Sequence, residues 1–231
     1  MIGAIKIKSP LDFLMYPFIR IHETPANAQI KTELALNSEE TKPGPRDCVL
    51  VLDYSGTMFS TDWEPSRVRA ALKAALEYCK KLAEHEPEAK VGIVAYGSSA
   101  ILICPLTPVT KLDKIEKSIS NAPDMGRTNI TSGLEIALQL LSMSNRTCQV
   151  ILLTDGHHNT GKHPFNMAEK IRKIAVLECI GIAGTPKTVD EPLLKGIASK
   201  YPDGRPRYRW IGDQGSLLNE FRRLAGRIVR A

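Results

Sequence analysis

Two apolar runs limit the folding choices of this chain more than any other feature. "CVLVLD" (48–53) and "CQVILLTD" (148–155) are almost continuously apolar and each stops on an aspartate. Runs of this length and character are strands buried on both faces, as in a parallel sheet. The segments around them alternate in kind. "PSRVRAALKAALEYCKKLAE" (65–84) has the spacing of an amphipathic helix, with Pro65 suited to its first turn. "KVGIVAYG" (90–97) and "AILICPL" (100–106) read as two strands of a hairpin around Ser98 and Ser99. Short helices are expected over 110–120 and 132–142. Further helices are expected over 164–175, 191–201 and 216–230, with strands over 176–183 and 207–212. Strands alternating with helices of this size predict an α/β fold: a doubly wound, mostly parallel sheet flanked by helices.

Residues 1–45 differ. "AIKIK" and "QIKTELAL" alternate apolar with polar, Pro10, Pro17 and Pro25 interrupt them, and "KPGPR" (42–46) reads as a linker. The expectation is an N-terminal β extension over 1–45 that packs on a main domain over 46–231. No apolar stretch approaches the ~20 residues of a membrane span. The first residues lack a secretory pattern, and five scattered cysteines without a CxxC suit reduced, buried thiols. A cytoplasmic protein without a membrane partner is expected. The net charge of +6 reflects arginines crowded near the end, at 205, 207, 209, 222, 223, 227 and 230. No zinc knuckle, RNA-binding aromatic motif or helix-turn-helix accompanies them, so nucleic acid is not the expected partner.

In an open doubly wound sheet, ligands sit beyond the carboxyl ends of the strands. Asp53 and Asp155 end strands on that edge, and "GRTNITSGL" (126–134) enters a helix there. Asp53, Ser55, Thr57, Thr128 and Asp155 therefore converge as two carboxylates and three hydroxyls. Such hard oxygen donors suit Mg²⁺ or Mn²⁺. Neutral hydroxyls leave the ion able to take one more carboxylate, from a partner.

The order DxSxT (53–57), then "GRTNITSGL", then "LLTDG" (152–156), resembles the von Willebrand factor type A family. "KVGIVAYGSSAILICPLT" and the closing "YRWIGDQGSLLNEFRRLAGRI" resemble it too, so the likeness covers residues 46–231. The resemblance implies a Rossmann-like fold carrying an intact metal-ion-dependent adhesion site. Ser55, Thr57 and Thr128 would supply hydroxyls, and Asp53 and Asp155 would act directly or through waters. Thr57 stands where serine is commoner, and a threonine hydroxyl ligates equally well. The implied role is non-catalytic: an adaptor whose cation takes a Glu or Asp of a protein partner. The contact face would comprise Tyr54, Phe59, Trp63, Arg127, Asn129, His157 and His158. Intracellular proteins of this type often work beside AAA+ ATPases of the MoxR kind, or in stress or defence complexes.

A second reading comes from another class. "VLVLDYSGTM" also resembles the opening motif of haloacid-dehalogenase-type phosphatases, with Asp53 as nucleophile. Ser55 replaces that motif's second aspartate and cannot serve as its acid near neutral pH. The histidines of "DGHHNTGKH" (155–163) fit no transition-metal spacing, and "GTPKT" (184–188) lacks the frame of a phosphate loop.

Overall fold

The computed structural model describes residues 45–119 and 123–227. The expected strands of the N-terminal extension lie outside the described residues. The main sheet has six strands: β1 (Asp47–Asp53), β2 (Lys90–Tyr96), β3 (Ala100–Pro108), β4 (Cys148–Thr154), β5 (Val176–Ile182) and β6 (Tyr208–Ile211). Their spatial order is β3-β2-β1-β4-β5-β6. All neighbours are parallel except β2 and β3, which form the antiparallel hairpin expected around Ser98 and Ser99. Six helices connect or close the strands: α1 (Arg67–His85), α2 (Leu112–Ser118), α3 (Ile130–Leu141), α4 (Phe165–Arg172), α5 (Glu191–Ile197) and α6 (Gln214–Ala225).

The double winding follows from the period of β1. Every β1 residue is buried, and successive side chains point to opposite faces. Cys48, Leu50 and Leu52 join Leu82, Ile115 and Phe221 in one core, beneath α1, α2 and α6. Val49 and Val51 join Leu134, Ile171 and Leu194 in the other, beneath α3, α4 and α5. A strand with apolar residues at every position is thus satisfied only when helices cover both sides.

Several helices differ in extent from the sequence expectation. Pro65 lies outside α1, because Ser66 caps that helix by accepting from the Arg69 amide. Helix α5 stops at Ile197 rather than continuing to Tyr201, since Ala198 is extended and Ser199 turns back to β5 through its amide and the Leu177 carbonyl.

Arg46, just before β1, is 2% exposed and joins distant parts of the domain. Its guanidinium makes a bidentate pair with Glu86 at the end of α1. It also donates to the Gln149 side chain and to the carbonyls of Leu224, Ala225 and Arg227, at 3.2, 3.0 and 2.6 Å for the last three. Of these carbonyls, the first two are orphans of the α6 C-terminus and the third lies just past its Gly226 cap, so a buried cation does the work of a C-cap.

Candidate metal centre

Strand β1 ends on Asp53, and the chain then crosses the top of the sheet. The Tyr54 amide donates to the Tyr96 carbonyl, the Gly56 amide to the Gly126 carbonyl, and the Met125 amide to the Tyr54 carbonyl. The loop after β1 is therefore bound to the loop before α3. Gly126 has φ +81°, a conformation that a side chain would strain. The same loop is held from the other side, where the Asn159 amide donates to the Thr128 carbonyl and the Thr128 amide donates to the Asn159 side chain. Thr128 precedes the N-cap of α3, which is Asn129 accepting from the Ser132 amide.

These straps bring the five expected residues to one edge. Thr57 Oγ donates to Asp155 Oδ1 at 2.7 Å, across a sequence gap of 98 residues. Ser55 Oγ lies 3.4 Å from Thr57 Oγ. A Cβ placed on Gly156 would stand 3.9 Å from the Thr128 hydroxyl and 4.0 Å from that of Thr57, so both hydroxyls face one point. Asp53 and Asp155 are 0% and 3% exposed, whereas Thr57 is open to solvent. The arrangement is a floor of buried carboxylate below an accessible hydroxyl.

Asp53 Oδ1 accepts from the Ser55 amide, and Oδ2 accepts from the hydroxyls of Thr154 at 2.6 Å and Tyr96 at 3.4 Å. All these partners are neutral. Burial pushes the Asp53 carboxyl up to about 6, against the pull of those hydrogen bonds. Burial also raises the Asp155 carboxyl, while Thr57 and Arg67 hold it down. Arg67, in the first turn of α1, gives its Nη1 to Asp155 Oδ2 at 2.8 Å and pairs with Asp62 through its other nitrogens. No group of three His, Cys, Asp or Glu gathers as a metal site among the described residues. The donors that do gather are two carboxylates and three hydroxyls, which fit a hard divalent cation.

The expected contact face needs correction. Tyr54 is 1% exposed and Trp63 7%, and both belong to the core under α1. Phe59 packs half-buried against that core, edge-on to Tyr54. These rings support the loop from below, because the loop turns inward to bury them. His158 is only half-buried, but its Nδ1 accepts from the Ile130 amide at 3.2 Å, serving the N-terminus of α3. Burial lowers its pKa accordingly. Asn129 is occupied as a cap. Arg127 and His157 are exposed at the rim, with His157 3.6 Å from Asp190.

Sequence reasoning missed Arg67, Asp62, Tyr96, Thr154 and Asn159. Thr154 was open to detection, since it sits directly before Asp155 where β4 meets the site. Nothing local marks Arg67, whose role depends on how α1 lies against the end of β4.

Residues 48–158 match the model of the von Willebrand factor type A domain. A "UPF0353 protein" of Mycolicibacterium gilvum (strain PYR-GCK) is 27% identical over 127 residues, covering 51% of this chain and 36% of its own. The chain thus spans about a third of the length of the curated relatives it matches. Among solved structures, the von Willebrand factor type A protein from Catenulispora acidiphila superposes with a TM-score of 0.66 at 18% identity, covering 79% of this chain and 42% of its own. The D319A mutant of the PilB minor pilin from Streptococcus sanguinis does so with a TM-score of 0.68 at 15% identity, covering 81% and 62%. At those identities the likeness speaks for the fold. No helix among the described residues is long and apolar enough to cross a membrane. Residues 48–158 thus match the von Willebrand factor type A family, and the sheet topology is that of the same fold.

Proposed function

We propose that the domain recognises a protein partner through a divalent cation, Mg²⁺ or Mn²⁺, whose remaining coordination position takes a Glu or Asp of that partner. One observation carries the reading: Asp53 is fully buried as a carboxylate whose hydrogen-bond partners are all neutral. A buried charge without a counter-ion is costly, and a cation beside it offsets that cost. The hydroxyls of Ser55, Thr57 and Thr128 would hold the ion. Asp155 orients the Thr57 hydroxyl, so that its lone pairs face outward. Asp53 fixes the Ser55 turn through the backbone amide. When bound, the ion supplies Lewis acidity toward an incoming carboxylate. Arg127 and His157 flank the approach.

This reading is non-enzymatic. The phosphatase alternative needs an approachable Asp53 oxygen, yet both oxygens are hydrogen-bonded below the surface. Calorimetry with Mg²⁺ and Mn²⁺ on the wild type and Asp53→Ala tests metal use, and identical heats overturn it. A pull-down with and without chelator, with a MoxR-type AAA+ ATPase among the candidate partners, tests the bridge. Recovery of the same partner in chelator refutes a bridging ion.

A further inference from the structure

The arginines near the end of the chain take no part in the metal centre. Five of them, Arg205, Arg207, Arg209, Arg223 and Arg227, line a single open groove of about 910 Å³. It lies where β6 begins, beside the early part of β5 and the end of α6. The metal centre sits at the opposite ends of the strands.

Two buried carboxylates set the guanidiniums in place. Glu178, 4% exposed, accepts from Arg207 at 2.8 Å and from Arg227 at 3.5 Å. Glu220, also 4% exposed, pairs with Arg223 at 2.6 Å and with Arg209 at 3.3 Å. Each carboxylate is shared by two arginines, so each pair keeps a surplus charge. With Lys195 and Asp203 included, six cations face three carboxylates in the groove lining, an excess of three. The most exposed of the cations are Arg205 and Arg209, with side chains 79% and 58% accessible.

Strand β6 forms one wall and is the outer strand of the sheet, with no further strand pairing to it among the described residues. The carbonyls of Arg207 and Ile211 point to β5. Peptide groups alternate along an extended strand, so those of Tyr208 and Trp210 point outward. Cationic side chains thus stand beside a strand edge that none of the described strands pairs.

We propose that this groove binds an extended acidic segment of a protein partner, added alongside β6, whose carboxylates pair with Arg205, Arg209 and Arg223. Arginine forks suit carboxylates in pairs, and strand addition supplies main-chain hydrogen bonds. Single-stranded nucleic acid fits less well. It needs open aromatic faces for its bases, whereas the Tyr201 ring carries the guanidiniums of Arg227, Arg207 and Arg205 at 4.5, 4.6 and 5.8 Å. Bases also offer no strand to pair with β6.

The test uses fluorescence anisotropy of the full chain in EDTA, which separates this groove from the metal reading. The probes are a labelled octapeptide of alternating Glu and Val, the same peptide N-methylated at alternate residues, and an eight-nucleotide oligothymidylate. The expected result is binding of the Glu-Val peptide, weakened several-fold by N-methylation. The double variant Arg205→Gln/Arg209→Gln weakens it about tenfold, or ~1.4 kcal/mol. Both positions are exposed, and an unchanged melting temperature confirms that the variant folds. Equal affinity of wild type and variant overturns the proposal, and so does tighter binding of the oligonucleotide than of the peptide. Indifference to N-methylation refutes the strand-addition geometry.

Discussion

Asp53→Asn is expected to stabilise the metal-free protein and, at the same time, to abolish its stabilisation by Mg²⁺. The carboxyl titrates at about 6 in the folded chain against an ordinary value of 3.8. The folded state therefore holds this proton more tightly than the unfolded one. Stability from the group is full below about 3.8 and is lost as pH rises through about 6. At pH 7.5 the loss corresponds to roughly two pH units at 1.36 kcal/mol each, or ~3 kcal/mol. An asparagine escapes it. Its carbonyl still accepts from the Ser55 amide, but Thr154 must turn its hydroxyl to accept from the new amide, at a cost of about 1 kcal/mol. A net gain of ~2 kcal/mol remains, or about 4–8 °C in melting temperature for a domain of this size. Thermal unfolding in EDTA at pH 7.5 reads this directly, and at pH 4.5 the gain should shrink as wild-type Asp53 protonates. Adding Mg²⁺ at a hundredfold excess over its dissociation constant stabilises the wild type by ~2.7 kcal/mol and leaves the variant unmoved. The reasoning fails if the variant is the less stable protein in EDTA at pH 7.5, or if both respond equally to Mg²⁺.

Three further outcomes are expected. Arg67→Ala removes the cation on Asp155 and should cost about 2–3 kcal/mol in EDTA, below the usual figure for a buried pair because water reaches the position. Loss of a positive charge bonded to Asp155 also removes a repulsion on any cation held there, so calorimetry should show Mg²⁺ binding more tightly in this variant than in the wild type. Thr57→Ala removes the hydroxyl that donates to buried Asp155, so urea unfolding in EDTA should show a loss of about 1–3 kcal/mol, and calorimetry should show no heat of Mg²⁺ binding. Gly133→Ala puts a Cβ 2.7 Å from Val51 and 3.0 Å from Tyr96, forcing α3 away from the sheet. Urea unfolding should show a net loss of about 1–2 kcal/mol despite the better helix propensity of alanine.

Strands β1 and β4 were legible because their runs are almost continuously apolar and each leads to an aspartate. "CVLVLD" and "CQVILLTD" named two neighbours at the centre of the sheet, and the site residues followed from where those strands stop. The contact face was less legible for a specific reason. Tyr54, Phe59 and Trp63 fall in a loop, where exposure is the ordinary expectation, but this loop folds back and packs its rings into the core beneath α1. Arg46 and Arg67 look like surface arginines in the sequence. Their burial depends on carbonyls and carboxylates that are distant along the chain and meet only when the sheet is assembled.

Arg46 has a mechanical consequence. Its guanidinium is bonded to the carbonyls of Leu224, Ala225 and Arg227 and anchored by Glu86 and Gln149, so the C-terminal end of α6 is tied to the entry of β1. The helix cannot slide along its own axis without stripping several bonds from a buried cation. The opposite end rests on an exposed cap, Asp213 accepting from the Ser216 amide and hydroxyl. Any swing of α6 is therefore that of a lever hinged at Arg46. Its travel is greatest at Gln214, and the arginines near the hinge stay almost still.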